Sequence, residues 1–237
     1  MSLEIRGPVL VTGASRGIGR AVVHLLVEHG VETVGISRSE VDGFPGRHVA
    51  CDLADRLALA STLAELTSEY QFSGLVNNAG LLWPSALTEL DWTQFDEVIA
   101  VNLRATIQVT QALVPGMVEQ QYGRIVSIGS RADRGAVGRT AYSAAKSGVN
   151  GATRTWALEF GRSGLTANVV APGPVDTDLF RKTRPVGGPE EASVRDSIPI
   201  GRFGQPREVA AATGFLLSLD AGYVNGQVLR VDGGASL

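Results

Sequence analysis

Apolar positions along this chain fall into two patterns. Short apolar-rich runs occupy residues 8–12, 32–37, 47–51, 73–76, 124–128, 166–171 and 227–231, the first of them without polar alternation. Such runs predict strands covered on both faces. Between them lie amphipathic stretches at 17–29, 55–70, 91–115, 140–162 and 206–218, which predict helices. In the first, Ile18, Ala21, Val22, Leu25 and Leu26 form one stripe, and Gly30 stands where a helix ends. The 91–115 stretch is long enough to hold a break. Strands alternating with helices predict right-handed crossovers, hence one α/β domain over residues 1–237 with a parallel sheet between two helical layers. No repeat, charge block or linker interrupts it. The irregular part is 178–201, where Pro185, Gly187, Gly188, Pro189 and Pro199 predict a loop long enough to act as a lid.

Composition narrows the functional classes. A chain of 237 residues buries a core without disulfides or metal staples, and no metal site is expected. Lys and Arg number 21 against 24 for Asp and Glu, a net charge of −3, which argues against a nucleic-acid partner. The single cysteine, Cys51, excludes a disulfide scaffold and suits a reducing, cytoplasmic compartment. No apolar run reaches the roughly 18 residues of a membrane span, and residues 1–6 offer no apolar segment for secretion. Glycine stands out at 29 residues, well above its usual share of about 7%, so the positions of the glycines carry information.

The first cluster follows residues 8–12, in Thr12-Gly13-Ala14-Ser15-Arg16-Gly17-Ile18-Gly19. Strand, glycine loop and helix in that order form the setting of a phosphate site. Glycines permit close backbone approach, and the helix start presents free N–H groups. The spacing G-x-x-x-G-x-G is neither the general dinucleotide pattern nor a P-loop, so a plain tight turn competes as a reading of the loop alone. Position favours a site. Ser37-Arg38, Asp52, Asn77-Asn78-Ala79-Gly80, Ser130 and Pro172-Gly173 also fall at the C-terminal ends of predicted strands, where open α/β sheets bind ligands. At the end of the second strand, where an NAD site carries an acid, stand Ser37 and Arg38. Arg38, with Arg16 in the loop, predicts NADP(H) over NAD(H), because a guanidinium pairs with a 2′-phosphate that a carboxylate would repel. Glu40 is the counter-signal, and solvated arginines are the plain alternative.

Tyr142 and Lys146 stand four residues apart, on one face of a predicted helix. A tyrosine with its ordinary pKa near 10 is a poor acid–base catalyst, and an adjacent ammonium brings it toward working range. Ser130, at a strand end, can bond a carbonyl oxygen. Alone, the pair reads more simply as an exposed helix face. Joined to Ser130 and the glycine loop, it reads as acid–base chemistry beside a nucleotide.

Together these motifs resemble the short-chain dehydrogenase/reductase family over about residues 8–234. The matching motifs are T-G-x-x-x-G-x-G at Thr12 to Gly19, Asp52, N-N-A-G at Asn77 to Gly80, Asn102, Ser130, Y-x-x-x-K at Tyr142 and Lys146, and Pro172-Gly173. The resemblance implies a Rossmann fold with a doubly wound, seven-stranded parallel sheet. It implies that Tyr142 protonates a carbonyl oxygen as hydride arrives from the nicotinamide. Lys146 would lower the tyrosine pKa and hold the nicotinamide ribose, Ser130 would polarise the carbonyl, and Asn102 would support a proton-relaying water. Gly13, Ser15, Arg16, Gly17, Ile18, Gly19 and Arg38 would surround the adenosine phosphates. Asp52 and Leu53 would meet the adenine, with Asn78, Ala79 and Gly80 beside the ribose. Pro172, Gly173, Val175 and Thr177 would reach the nicotinamide side.

Cys51, the three histidines and most tryptophans read as structural residues; Trp83, just after Asn-Asn-Ala-Gly, is a candidate for the cleft wall. The substrate is less legible. Arg181, Lys182, Arg184 and Arg195 in the lid either greet an anionic substrate or are merely solvated. Residues 198–206 and 231–234 resemble 3-oxoacyl-(acyl-carrier-protein) reductases, and also sugar and polyol dehydrogenases. An acyl carrier protein is acidic, and residues 117–122 offer Glu119 and no cation for docking it, although Arg162, Arg181 and Lys182 can substitute. The expected activity is therefore NADPH-dependent carbonyl reduction, with a 3-oxoacyl thioester first and a sugar or other small alcohol second. A non-catalytic dinucleotide sensor would not need Tyr142 and Lys146. A methyltransferase would not need Ser130 with them. Apolar surface on more than one side of the 91–115 and 140–162 helices predicts association, and the resemblance implies a homotetramer.

Overall fold

Each apolar run becomes a parallel strand: β1 (Val9–Thr12), β2 (Thr33–Ser37), β3 (Arg47–Ala50), β4 (Gly74–Asn77), β5 (Gly123–Ile128), β6 (Leu165–Pro172) and β7 (Val228–Val231). The computed structural model describes residues 3–183 and 186–237. Arg184 and Pro185 of the expected lid lie outside the described residues. The strands form one sheet in the order β3-β2-β1-β4-β5-β6-β7. The chain therefore starts at the middle, runs outward through β2 and β3, and returns to place β4 on the other side of β1. Val9, Leu10 and Val11 face Thr33, Val34 and Gly35 on one side and Gly74, Leu75 and Val76 on the other. The gap at the C-terminal ends of β1 and β4 is the switch point at which such sheets bind ligands.

Helices α1 (Gly17–Glu28), α2 (Arg56–Glu69), α3 (Trp92–Ile99), α4 (Ala105–Glu119), α5 (Thr140–Phe160), α6 (Asp178–Thr183), α7 (Pro189–Asp196) and α8 (Pro206–Leu217) complete the chain. Because strand side chains alternate, the core divides into two layers. Leu10, Leu75 and Ile125 pack with Leu59, Leu63 and Leu66 of α2 and Val109, Leu113 and Met117 of α4. Their sequence neighbours Val9, Val11, Val76 and Val126 pack on the other face against Val22, Val23 and Leu26 of α1 and Val209, Leu216 and Leu217 of α8. Burying each such side chain stabilises the fold by about 1.5–3 kcal/mol.

The structure corrects two boundaries. The 91–115 stretch holds the break its length allowed: two helices joined by a π-helical turn, Ala100–Arg104, which carries Asn102. The second half also runs past Pro115 to Glu119. Proline removes one backbone donor there, and the apolar face seated on the sheet outweighs that loss. The loop expected at 178–201 contains α6 and α7. Thr177 Oγ1 accepts from Phe180 N at 3.2 Å to start the first, and Pro189 with Glu190 and Glu191 starts the second. No described helix is long and apolar enough to cross a membrane.

Candidate active site

The C-terminal ends of the central strands open onto one cavity of about 890 Å³. Of the expected residues, Gly13, Ser15, Arg16, Gly17, Ile18, Arg38, Asp52, Leu53, Asn78, Ala79, Gly80, Ser130, Tyr142, Lys146, Pro172, Gly173, Val175 and Thr177 line it. Gly19 and Asn102 are not among the lining residues; each sits behind the wall it shapes. A Cβ on Gly19 would lie 2.2 Å from the Gly13 carbonyl oxygen and 2.4 Å from Asn78 Nδ2, so only glycine lets α1 approach the loop this closely. Gly13 and Gly17 take positive φ values of 64° and 56°, which suit residues without a Cβ.

A brace joins the glycine loop to the loop after β4. Thr12 Oγ1 accepts from Asn78 N at 3.0 Å and Ala79 N at 3.2 Å. Asn78 Nδ2 donates to the carbonyls of Thr12 and Gly13, both at 3.0 Å. Thr12 stood in the sequence motif without a role of its own. Its signal was a hydroxyl ending an otherwise apolar strand. Across the cavity, Thr177 faces the same loop, with its Cγ2 3.4 Å from where a Gly17 Cβ would stand.

No side chain caps the start of α1, which leaves its first-turn N–H groups for an anion. Among the described residues, no carboxylate lies within ion-pair distance of Arg16 or Arg38. Glu40 is not among the lining residues; its carboxylate is largely exposed, 3.9 Å from His48 Nδ1. Asp52 turns its Oδ1 to Ala54 N at 2.9 Å and shapes the bend under Leu53. Room, uncapped backbone donors and two uncompensated cations fit a phosphorylated dinucleotide.

At the far end, Lys146 is buried and its Nζ donates to the Ile128 carbonyl at 2.8 Å. Burial pulls its pKa down to about 8. The ammonium lies 5.7 Å from the centre of the Tyr142 ring. Burial raises the Tyr142 pKa above its ordinary value, opposed by a hydrogen bond with Ser130 and the charge of Arg139. Burial weakens the lysine's own hold on its proton, and Ser130 and Arg139 are the groups that oppose the upward shift. Arg139, at the start of α5, went unnoticed because only the folded helix carries its charge to the phenol. Ser130 Oγ also accepts from Ala132 N at 3.1 Å, which fixes the hydroxyl at the end of β5.

Asn102 works through backbone contacts. Its Nδ2 donates to Leu81 O at 2.8 Å and Val98 O at 2.9 Å, and its Oδ1 accepts from Leu81 N at 3.3 Å. It pins the segment following Asn-Asn-Ala-Gly to the π turn. Gly173 is required by close approach, since a Cβ there would stand 2.7 Å from Asp232 Cα.

Two expected wall features change. Trp83 is not among the lining residues, and its Nε1 donates to Glu97 Oε2 at 2.8 Å. Arg181 is engaged within the lid, bonding Asp176 at 2.6 and 3.0 Å and Glu191 at 2.6 Å. It braces α6 against α7 and is no longer available to greet a substrate.

Comparison with known proteins gives these features a family. Residues 13–236 match a family model described as enoyl-(acyl carrier protein) reductase. The 3-oxoacyl-(acyl-carrier-protein) reductase FabG of Vibrio harveyi is 37% identical, over 98% of each chain. The protein of that name from Thermotoga maritima is 36% identical over 98% of this chain and 99% of its own. Among solved structures, Thermoplasma acidophilum aldohexose dehydrogenase matches with a TM-score of 0.92 at 31% identity, covering 99% of this chain and 95% of its own. A gluconate 5-dehydrogenase candidate from Beutenbergia cavernae, with NADP bound at low occupancy, matches with a TM-score of 0.94 at 32% identity, covering 99% of each chain. Sheet order, glycine loop and the Ser130–Tyr142–Lys146 cluster agree with this likeness over nearly the whole chain: it belongs to the short-chain dehydrogenase/reductase family, oxidoreductases built around a nicotinamide dinucleotide.

Proposed function

We propose that this chain is an NADPH-dependent carbonyl reductase, with a 3-oxoacyl thioester as its leading substrate. The observation that carries the reading is one cavity lined by Ser130, Tyr142 and the buried Lys146 at one end and, at the other, by Arg16 and Arg38, which meet no carboxylate among the described residues. When bound, the nicotinamide dinucleotide supplies or accepts a hydride at a carbonyl carbon. The uncapped start of α1 and the Gly13–Gly19 loop bind its phosphates, and Arg16 and Arg38 take the 2′-phosphate. Lys146 Nζ holds ribose hydroxyls. Ser130 Oγ polarises the carbonyl oxygen, and Tyr142 Oη gives that oxygen its proton. Asn102 keeps the Asn78–Leu81 segment against the π turn, and its role in a proton relay runs through that positioning. The α6–α7 lid excludes water.

NADPH oxidation with acetoacetyl thioesters tests the activity. Equal binding of NADH and NADPH in a fluorescence titration would remove the cofactor preference, and Arg38→Ala is expected to weaken NADPH about tenfold or more. Oxidation of a sugar without reduction of any 3-oxoacyl thioester would favour the second reading, a sugar or polyol dehydrogenase. Likeness to aldohexose dehydrogenase and the lack of cations at 117–122 support it. Docking of an acyl carrier protein belongs to the first reading only. The buried thiol of Cys51 suits work in the reducing cytoplasm. The exposed Ile107 and Leu158, on α4 and α5, support a homotetramer closed through those helices.

A further inference from the structure

We propose that Arg131 and Arg134 form an anion site at the substrate end of the cavity, and that the substrate carries a carboxylate or phosphate which they hold. The proposal rests on the carbonyl-reductase reading and names the substrate class that reading leaves open.

Ser130 is followed directly by a 3₁₀ turn, Arg131–Arg134. Side chains three apart eclipse in a 3₁₀ helix, so the two arginines leave the turn on one face. Both line the cavity. The acid between them, Asp133, is turned away. Its carboxylate is 3% exposed, accepts from Arg230 Nη2 at 3.1 Å through both oxygens, and accepts from Asn150 Nδ2 at 2.7 Å. Its charge is therefore already neutralised behind the turn, and the same network fixes the turn to α5 and β7.

Among the described residues, the two guanidinium groups bond neutral backbone carbonyls. Arg131 Nη1 donates to Ala235 O and Arg134 Nη1 to Ser236 O, each at a long 3.3 Å. Among the described residues, no carboxylate stands within ion-pair distance of either. The acidic side chains among the lining residues are those of Asp52, Glu97 and Asp178. Asp52 caps its own turn and Glu97 holds the Trp83 indole, while Asp178 opens α6. Two planar forks beside the carbonyl-binding serine match the geometry of an oxyanion, for which the long carbonyl contacts are easily exchanged. The carboxylate of an oxo acid and the phosphate on the pantetheine arm of a thioester offer the same chemistry.

The test uses paired substrates with a common reacting centre, assayed with NADPH in the wild type and in Arg131→Gln/Arg134→Gln. One pair is acetoacetyl-CoA and the acetoacetyl thioester of N-acetylcysteamine. The other is acetoacetate and ethyl acetoacetate. The wild type is expected to favour the anionic member of at least one pair in kcat/KM, and the double variant to lower that ratio about tenfold or more. The pair that responds identifies phosphate or carboxylate. A wild type indifferent to charge in both pairs, or a ratio unmoved by the substitutions, overturns the proposal. If no carbonyl is reduced, the reductase reading fails and binding decides the anion site. Malonate and 4′-phosphopantetheine are then titrated calorimetrically into the NADP-loaded protein. Binding of either that is lost in the double variant sustains the site. Equal binding, or none in the wild type, sinks it.

Discussion

Tyr142 is kept a phenol by burial, and this sets the direction in which pH acts. Reduction needs the protonated form, so its rate should hold through neutral pH and fall only as the phenol ionises above its ordinary range; alcohol oxidation should rise over the same interval. Initial rates in both directions against pH check this, and parallel profiles would contradict it. Tyr142→Phe is expected to lower turnover about 10²–10⁴-fold while leaving cofactor affinity intact, measured by fluorescence titration. Lys146 makes a separate statement about stability. Its folded pKa, about 8, lies below the ordinary 10.5, so between these values the unfolded chain holds the extra proton and stability rises with pH. Below about pH 8 both states are protonated, and the cost of burying the charge is constant. Lys146→Met should therefore be inactive but more stable near neutral pH, and its advantage should shrink as pH rises toward 10.5, as followed by Tm. At this scale the sequence was highly legible, because helical spacing put Tyr142 and Lys146 on one face and a predicted strand end put Ser130 beside the glycine loop. What it could not supply was the burial that raises the Tyr142 pKa, or the Ser130 bond and Arg139 charge that oppose it.

The elements carry the next layer of control. Thr12 ends β1 with a hydroxyl that accepts two N–H groups from the loop after β4. Thr12→Val keeps the shape and leaves those donors without an acceptor, a cost of about 1–3 kcal/mol each when they are cut off from water. It should lower the Tm and weaken cofactor binding together; a loss of stability with unchanged cofactor affinity would separate the brace from the site. The five central strands were read to within a few residues because each is buried along its whole length. The π turn at Ala100–Arg104 was not legible, since an inserted residue shifts the hydrogen-bond ladder without altering the apolar pattern. The lid helices escaped for the opposite reason: α6 and α7 are short, lack an apolar stripe, and are held by ion pairs from Arg181.

For the whole molecule, the unsettled quantity is association. Light scattering at micromolar concentration should give four times the chain mass, and Leu158→Glu on α5, where the side chain is 85% exposed, should reduce it without unfolding the subunit. A monomeric wild type would remove the homotetramer. The doubly wound, seven-stranded form was legible only through the family resemblance, and the strand order only in the fold, because alternation of strands and helices fixes that the sheet is parallel and not which strand lies beside which. That order also has a temporal consequence. β1 is made first and occupies the centre of the sheet, yet one of its two neighbours, β4, follows some sixty residues later. A nascent chain must therefore carry a strand of three consecutive apolar residues, Val9 to Val11, with one edge open until the Asn78 loop has been synthesised. The glycine loop gains its partner at the same moment. Ribosome-bound chains ending before residue 74 should bind chaperones and remain protease-sensitive, with protection arriving only after β4 and β5 emerge.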